Sequence, residues 1–390
     1  MPAVKSKTSL TVAGLFAGIG GIEVGLHQAG HRTLLLCDVE AAAQHVLTRR
    51  FPGIPIVGDV RELIALPDVD LCAAGFPCQD LSQAGRTAGI RGNNSSLVNE
   101  VFRLVEAASP RWLLLENVPF MLQLDRGKAM RFLTRALEEL GFSWAYRVVD
   151  ARAFGLPQRR QRVLLLASRS EDPREILFVG DEGEPQWPEP SDVGCGFYWT
   201  EGSKGLGWAI DAVPTLKGGS GLGIPSPPAI RFPNGFIGVP EIRDAERLQG
   251  FDSDWTAPAV ENGRRQGVRW RLVGNAVSVP VARWIGDRLR APEAYDAECD
   301  AELPHSSPWP KAAWGAEGAV FRANVSPWPV REPYRHLVDF LEHDVAALSA
   351  RATEGFLRRA RRSTLKFVPG FLDDVAAHLD RAREPARVAA

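Results

Sequence analysis

Over the first 170 residues, short continuous apolar runs alternate with stretches whose apolar positions recur at helical intervals. Residues 11–16, 33–38, 55–59, 71–76 and 112–116 read as strands, and 144–150 and 162–167 as two more. Between them, 21–29, 41–50, 97–108 and 128–140 carry helical spacing. Strands that are apolar throughout and separated by helices predict an α/β fold: a mostly parallel, doubly wound sheet covered on both faces. The pattern changes after residue 170. From 171 to about 238, Pro, Gly and Trp are frequent and helical periodicity fades, which predicts a loop-rich or small β region. Helical spacing returns at 241–251 and 279–290. Beyond Pro292 lies a tail in which Leu337, Phe340, Leu341, Val345 and Leu348 predict one amphipathic helix.

Composition narrows the class without naming it. Apolar residues make up 45% and charged residues 24% of 390 positions, as in an ordinary globular chain. No apolar run approaches the ~20 residues needed to span a bilayer. The short polar N-terminus carries no signal-peptide pattern, so a cytoplasmic location without membrane contact is expected. The cysteines (Cys37, Cys72, Cys78, Cys195 and Cys299) form no Cys-x-x-Cys pair, and the histidines lack ligand spacing. Neither a disulfide framework nor a metal site is expected. The formal net charge of −1 gives no overall nucleic-acid signature, yet arginines cluster at 159–162, 264–271 and 358–362. Any one such cluster is more commonly a solvated face.

Candidate chemistry gathers at the strand ends. The first strand runs into Phe16-Ala17-Gly18-Ile19-Gly20-Gly21, a turn that lets a ligand approach the backbone. Asp38 ends the second strand and is placed to accept hydrogen bonds from ribose hydroxyls, and Asp59 ends the third. In open α/β sheets, ligands bind outside the carboxyl ends of the strands. The fourth strand leads into Gly75-Phe76-Pro77-Cys78-Gln79, which holds a cysteine at the same edge. A thiolate there is a candidate nucleophile, whereas Cys37 and Cys72, inside apolar runs, read as inert core thiols. Glu116 ends the fifth strand, where it can bond a substrate ring nitrogen. Alternation sends Gln158, Arg160 and Arg162 to one side of an extended segment.

These residues, in this order, resemble the DNA cytosine-5 methyltransferases over about residues 10–290. Residues 16–21 match the family's cofactor loop, Gly75-Phe76-Pro77-Cys78-Gln79 its nucleophile loop, and Glu116-Asn117-Val118 its catalytic glutamate. Gln158, Arg160 and Arg162 match its Gln-x-Arg-x-Arg motif. Arg243 with residues 247–251 matches the helix after the target-recognition region, and Gly274-Asn275-Ala276-Val277 the last motif. The family's ribose acid is usually Glu; here Asp38 aligns, with Glu40 two positions on, and the choice between them is left open.

The resemblance implies S-adenosylmethionine as cofactor, with no metal, held by Phe16, Ala17, Gly18, Gly20, Gly21, Asp38, Val39, Asp59, Val60, Pro77, Leu97, Asn275 and Val277. It implies catalysis by Cys78, Glu116, Arg160 and Arg162, with Arg162 on the cytosine carbonyl. It implies DNA contacts from Gln79, Ser82, Gln158 and Arg243. Residues 9–170 with 268–291 would form the catalytic domain, 171–267 the target-recognition region and 292–390 a partly helical extension. Trp187, Phe197, Tyr198, Trp199 and Trp208 in that region suit core packing better than base contact. Double-stranded DNA is the implied partner, bound by a monomer. A cognate restriction endonuclease or other defence-system protein would accompany a modification enzyme. Two other readings stand beside this one: an RNA cytosine-5 methyltransferase, and a catalytically silent DNA-binding regulator, against which intact Cys78, Glu116 and Arg162 argue. A nicotinamide oxidoreductase would need a Gly-x-Gly-x-x-Gly turn, and the spacing at Gly18, Gly20 and Gly21 differs.

Overall fold

The computed structural model describes residues 9–77, 97–218 and 226–384, apart from 262, 264, 265, 306 and 317. The chain forms two units. The first comprises Met1–Phe154, Gln161–Glu184 and Ala276–Glu332; the second comprises Gly155–Arg160, Pro185–Asn275 and Pro333–Ala390.

In the first unit, β1 (Thr11–Leu15), α1 (Gly21–Gln28), β2 (Arg32–Cys37), α2 (Ala41–Arg50), β3 (Ile56–Val57) and β4 (Leu71–Ala74) follow in chain order. Then come α3 (Leu97–Ala108), β5 (Trp112–Asn117), α4 (Lys128–Glu139) and β6 (Ser143–Asp150). After β7 (Gln158–Arg159), which belongs to the second unit, β8 (Gln161–Ser168) returns to the first. A ten-stranded sheet results. Its order is β3-β2-β1-β4-β5-β8-β6, continued by Ala312–Ala316, Ala319–Arg322 and Ala301–Glu302 from the tail.

The sheet is α/β and mixed. The segments that alternate with helices, β1 to β5, are mutually parallel, as crossover connections require. Beyond β5 every pairing is antiparallel: β5 with β8, β8 with β6, and the tail strands after them. β4 and β5 are buried along their whole length, which is why they read as unbroken apolar runs. Helix α5 (Val279–Arg290) starts with a proline in its first turn and packs on α1. Their approach depends on Gly25, where a Cβ would stand 2.5 Å from both the Arg283 amide nitrogen and the Val279 carbonyl oxygen.

The second unit contains a five-stranded sheet of β9 (Cys195–Phe197), β10 (Ala209–Ile210), β12 (Ala229–Arg231), β13 (Ile237–Val239) and Ala346–Ala347. β11 (Val213–Pro214) pairs in parallel with β7. The helices Ile242–Arg247 and Gly267–Asn275 also belong here. Two tail helices, α6 (Ala350–Arg361) and α7 (Phe371–Arg383), cover the sheet. Phe356 and Phe371 each come within 5.1 Å of Phe197, ring centre to ring centre.

The tail departs from the expected single helix through Leu337 and Leu348. Helix stops after Leu337–Phe340, Leu341 is extended, and Ala346–Ala347 joins the sheet beside β13. Side chains from elsewhere in the unit take the backbone groups that a continuing helix would use. The Asp244 carboxylate accepts from the amides of Glu342 and His343, and Arg247 donates to the Phe340 carbonyl. Helical side-chain spacing is outweighed there by tertiary hydrogen bonds.

Candidate active site

Three residues of the turn after β1, Phe16, Gly18 and Gly20, have positive φ. Gly20 must be glycine for a second reason as well, because a Cβ there would overlap the Phe51 ring. Gly18 (φ +57) has no atom of the described residues within 4 Å of the position a Cβ would occupy, so its backbone is open to a ligand on that side. The Asp38 carboxylate anchors this turn from the end of β2. It accepts from the Gly18 amide at 2.7 Å and from the Glu40 amide at 2.8 Å. Burial pushes its pKa up, with those amide bonds opposing. Beside it Val39 is 73% exposed, an apolar side chain left in solvent at the same sheet edge.

Asp59 caps the short turn Val60–Glu62 and forms an ion pair with Arg61 at 2.6 Å. Its hydrogen bonds to Arg61 hold it down at about 2. Val60 is buried, and Leu97 starts α3, packed against the core.

Glu116 stands at the end of β5, only 8% exposed. Arg162 on the neighbouring strand β8 pairs with Glu116 Oε1 at 2.8 Å. Glu116 Oε2 lies against Gly75: a Cβ there would be 3.5 Å from it and 3.9 Å from the Phe16 carbonyl oxygen. The next residue was not anticipated as a site residue. Asn117 donates to the Phe76 carbonyl at 3.0 Å and accepts from the Val118 amide at 2.9 Å. It therefore ties the segment leading to Pro77 onto the strand that carries Glu116. Cys78, Gln79 and Ser82 lie outside the described residues. Cys37 and Cys72 are buried, and desolvation pushes both thiols up to about 12, so neither is a nucleophile.

Glu23 was likewise not singled out from the sequence. It is 1% exposed in the first turn of α1. Its carboxylate lies over Gly14, where any Cβ would overlap it, and Oε2 has no hydrogen-bond partner among the described residues. Burial, with the charge of Asp38 adding, raises it to about 7.

The remaining predicted residues lie apart from this set. Strand alternation placed Gln158, Arg160 and Arg162 together, but the chain passes from the second unit to the first after Arg160. Gln158, expected at DNA, is fully buried. Its amide donates to the Leu248 carbonyl and to Gln249 Oε1 and accepts from the Leu216 amide. Arg160, expected among the catalytic groups, is 1% exposed and donates to the carbonyls of Leu216 and Gly274. These bonds fasten the 213–218 segment to the helices on either side of it. Both side chains are thus buried within the second unit and bonded to its backbone, whereas Arg162 belongs to the first. Arg243 is partly exposed and bonded to Glu241 at 2.6 Å. Asn275 is exposed at the end of the second unit, beside Gly218, while Val277 lies half-buried in the first. The aromatics of the recognition segment are engaged in packing: Phe197 is in the core, Trp208 meets Phe371, Trp187 meets Tyr334, and Trp199 donates to the Pro227 carbonyl.

Comparison with known proteins adds to this geometry. Residues 10–204 match the family model described as C-5 cytosine-specific DNA methylase. The Type II methyltransferase M2.BsuMI of Bacillus subtilis (strain 168) is 50% identical over 385 residues, covering 95% of this chain and 99% of that protein. The Type II methyltransferase M.NlaX of Neisseria lactamica is 29% identical, covering 71% of this chain and 95% of its own. Among solved structures, the S. pombe Dnmt2 methyltransferase aligns with a TM-score of 0.50 at 16% identity over 72% of this chain and 97% of its own, a likeness of fold alone.

Proposed function

The chain belongs to the C-5 cytosine-specific DNA methylase family, and from that premise we propose that it methylates carbon 5 of cytosine within a specific double-stranded DNA sequence. The methyl donor is S-adenosylmethionine, and the enzyme acts through a covalent Cys78 adduct on a flipped-out base. Its setting in this reading is a restriction-modification system with a cognate endonuclease as companion, a reading supported by 50% identity to a protein named a Type II methyltransferase. The observation that carries this reading is the buried Glu116 carboxylate, paired with Arg162 at 2.8 Å and set over Gly75 three residues before Cys78.

The residues fit the cofactor. The open side of the Gly18 backbone, the Asp38 carboxylate bonded to that backbone and the exposed Val39 side chain offer the parts of a nucleoside cradle. Asp38 or Glu40 would take the ribose hydroxyls. When bound, S-adenosylmethionine supplies an electrophilic sulfonium methyl. The rest of the chemistry belongs to the chain and the base.

Carbon 5 of cytosine is a poor nucleophile until the ring is activated. Attack of the Cys78 thiolate on carbon 6 forms an S–C6 bond and moves the C5=C6 electron pair onto carbon 5. A proton relayed from solvent through Glu116 to ring nitrogen 3 keeps negative charge from building up there, and it returns by the same route when the adduct collapses. Arg162 holds the Glu116 carboxylate in place through Oε1, which leaves Oε2 the oxygen on the Gly75 side. After methylation, transfer of the carbon 5 proton to solvent water re-forms C5=C6 and expels the thiolate. A base stacked in a duplex cannot reach these groups. The target must swing out of the helix, as DNA methyltransferases as a class require, at a cost of roughly a few kcal/mol for unstacking and unpairing. Within this reading residues 9–170 with 268–291 carry the reaction, 171–267 select the sequence and 292–390 extend the protein. Among the described residues no helix is long and apolar enough to cross a membrane.

Glu116→Gln keeps the shape and removes the proton donor. The expected loss in kcat is about 10²–10⁴-fold, with DNA affinity retained. Turnover within a few-fold of the unaltered enzyme contradicts the role given to Glu116.

A further inference from the structure

One face of α6 is basic and turned away from the core. Thr353, Phe356, Leu357 and Ala360 are buried, whereas Arg351, Arg358, Arg361 and Arg362 are exposed. Arg351, Arg358 and Arg362 are spaced by seven and four residues, so they stack along one side of the helix. No acid pairs with these arginines among the described residues; Glu354, on the same side, is turned to Arg383 at 2.9 Å. An open groove of about 480 Å³ runs along this face between α6 and Trp199, lined by Arg351, Arg358 and Arg359 with Glu354 as its single acid.

The groove is continuous with the recognition segment. Arg359 donates to the carbonyls of Trp199 and Glu201, and Glu201 pairs with Lys217. Lys217 lies over the Tyr198 ring at 3.6 Å, next to the residue that touches Asn275. In a chain of net charge −1, this is a local concentration of positive charge. It is built onto the unit assigned to sequence selection and has an apolar side that is already satisfied by packing.

We infer that the exposed face of α6 grips the phosphodiester backbone of the DNA duplex flanking the recognised sequence, so that the tail widens the enzyme's footprint. A polyanion fits a row of arginines set one and two helical turns apart better than an apolar partner does. Phosphate contacts position the protein without reading bases. The inference rests on DNA being the substrate.

The test is the triple variant Arg351→Gln, Arg358→Gln, Arg362→Gln in the full chain. Its affinity for a target duplex and for a scrambled duplex is measured across salt concentrations, together with methylation at saturating DNA. Each lost phosphate contact should make the log–log salt slope shallower by about 0.9, so about 2.7 for all three. Affinity should fall by the same factor on both duplexes, kcat should hold, and the matching Arg→Lys variant should restore the slope. An unchanged slope in a variant that melts like the parent overturns the inference. If it also loses an acidic protein partner that the parent retains, the face is a protein surface instead. Failure of the parent itself to bind or methylate DNA would sink the functional reading and this inference with it, whereas an unchanged slope beside an active parent sinks the inference alone.

Discussion

At the scale of single residues, the groups at the strand ends are each held by a specific partner. Arg162 fixes Glu116, the amides of Gly18 and Glu40 fix Asp38, and Asn117 fixes the approach to Cys78. Glu23 is the exception, a buried carboxyl with one oxygen unpartnered. Its folded pKa of about 7 lies above the ordinary 4.5, so the folded state holds a proton that the unfolded state has released. Stability should therefore fall as pH rises through that window, by about 1.4 kcal/mol per pH unit, and level off above it. Glu23→Gln should flatten the urea-unfolding profile between those values and raise stability on the alkaline side. A parental profile in the variant would show that Glu23 ionises normally. Much of this edge was legible in the sequence, because glycines, Asp38 and Glu116 fall at strand ends that apolar runs delimit. The partner of Glu116 was not. Alternation along 158–162 says which side chains share a side locally, not that the chain leaves one unit for the other midway and buries Gln158 and Arg160.

Among the elements, helices with a strongly one-sided pattern appear where their spacing places them: α3 at Leu97–Ala108 and α5 at Val279–Arg290. The helix predicted at 241–251 closes earlier, at Ile242–Arg247. The tail segment from Leu337 fails as a helix because Asp244 and Arg247, far away in sequence, capture its backbone. No local pattern encodes that capture. The contact of α1 with α5 is different, since a glycine on α1 announces it once the fold is known. Gly25→Val would drive a side chain into the Arg283 amide and the Val279 carbonyl, backbone atoms that cannot swing aside. Overpacking of this kind costs about 1–3 kcal/mol. Urea midpoints of the variant and parent check it; coincident midpoints would mean that the helices separate freely at that point.

For the whole molecule, the tail is structural as well as appended. Ala312–Ala316 pairs with β6 in the first unit, and Phe356 and Phe371 fill the core of the second. The sequence puts the start of the tail after Pro292, but its share in both units depends on pairings more than 150 residues apart, such as Ala312 with Arg147, which periodicity does not reach. That share also bears on how activity is best tested, because truncation would disturb folding along with function. Intact chains differing at one atom are the cleaner comparison. The central claim is that this protein marks cytosine in DNA through Cys78. Bisulfite sequencing of DNA from cells producing the parent or Cys78→Ser, at matched soluble levels, tests it directly. Protected cytosines confined to one sequence context are expected with the parent and none with the variant. Protection that persists with Cys78→Ser, or full conversion with the parent, would contradict it.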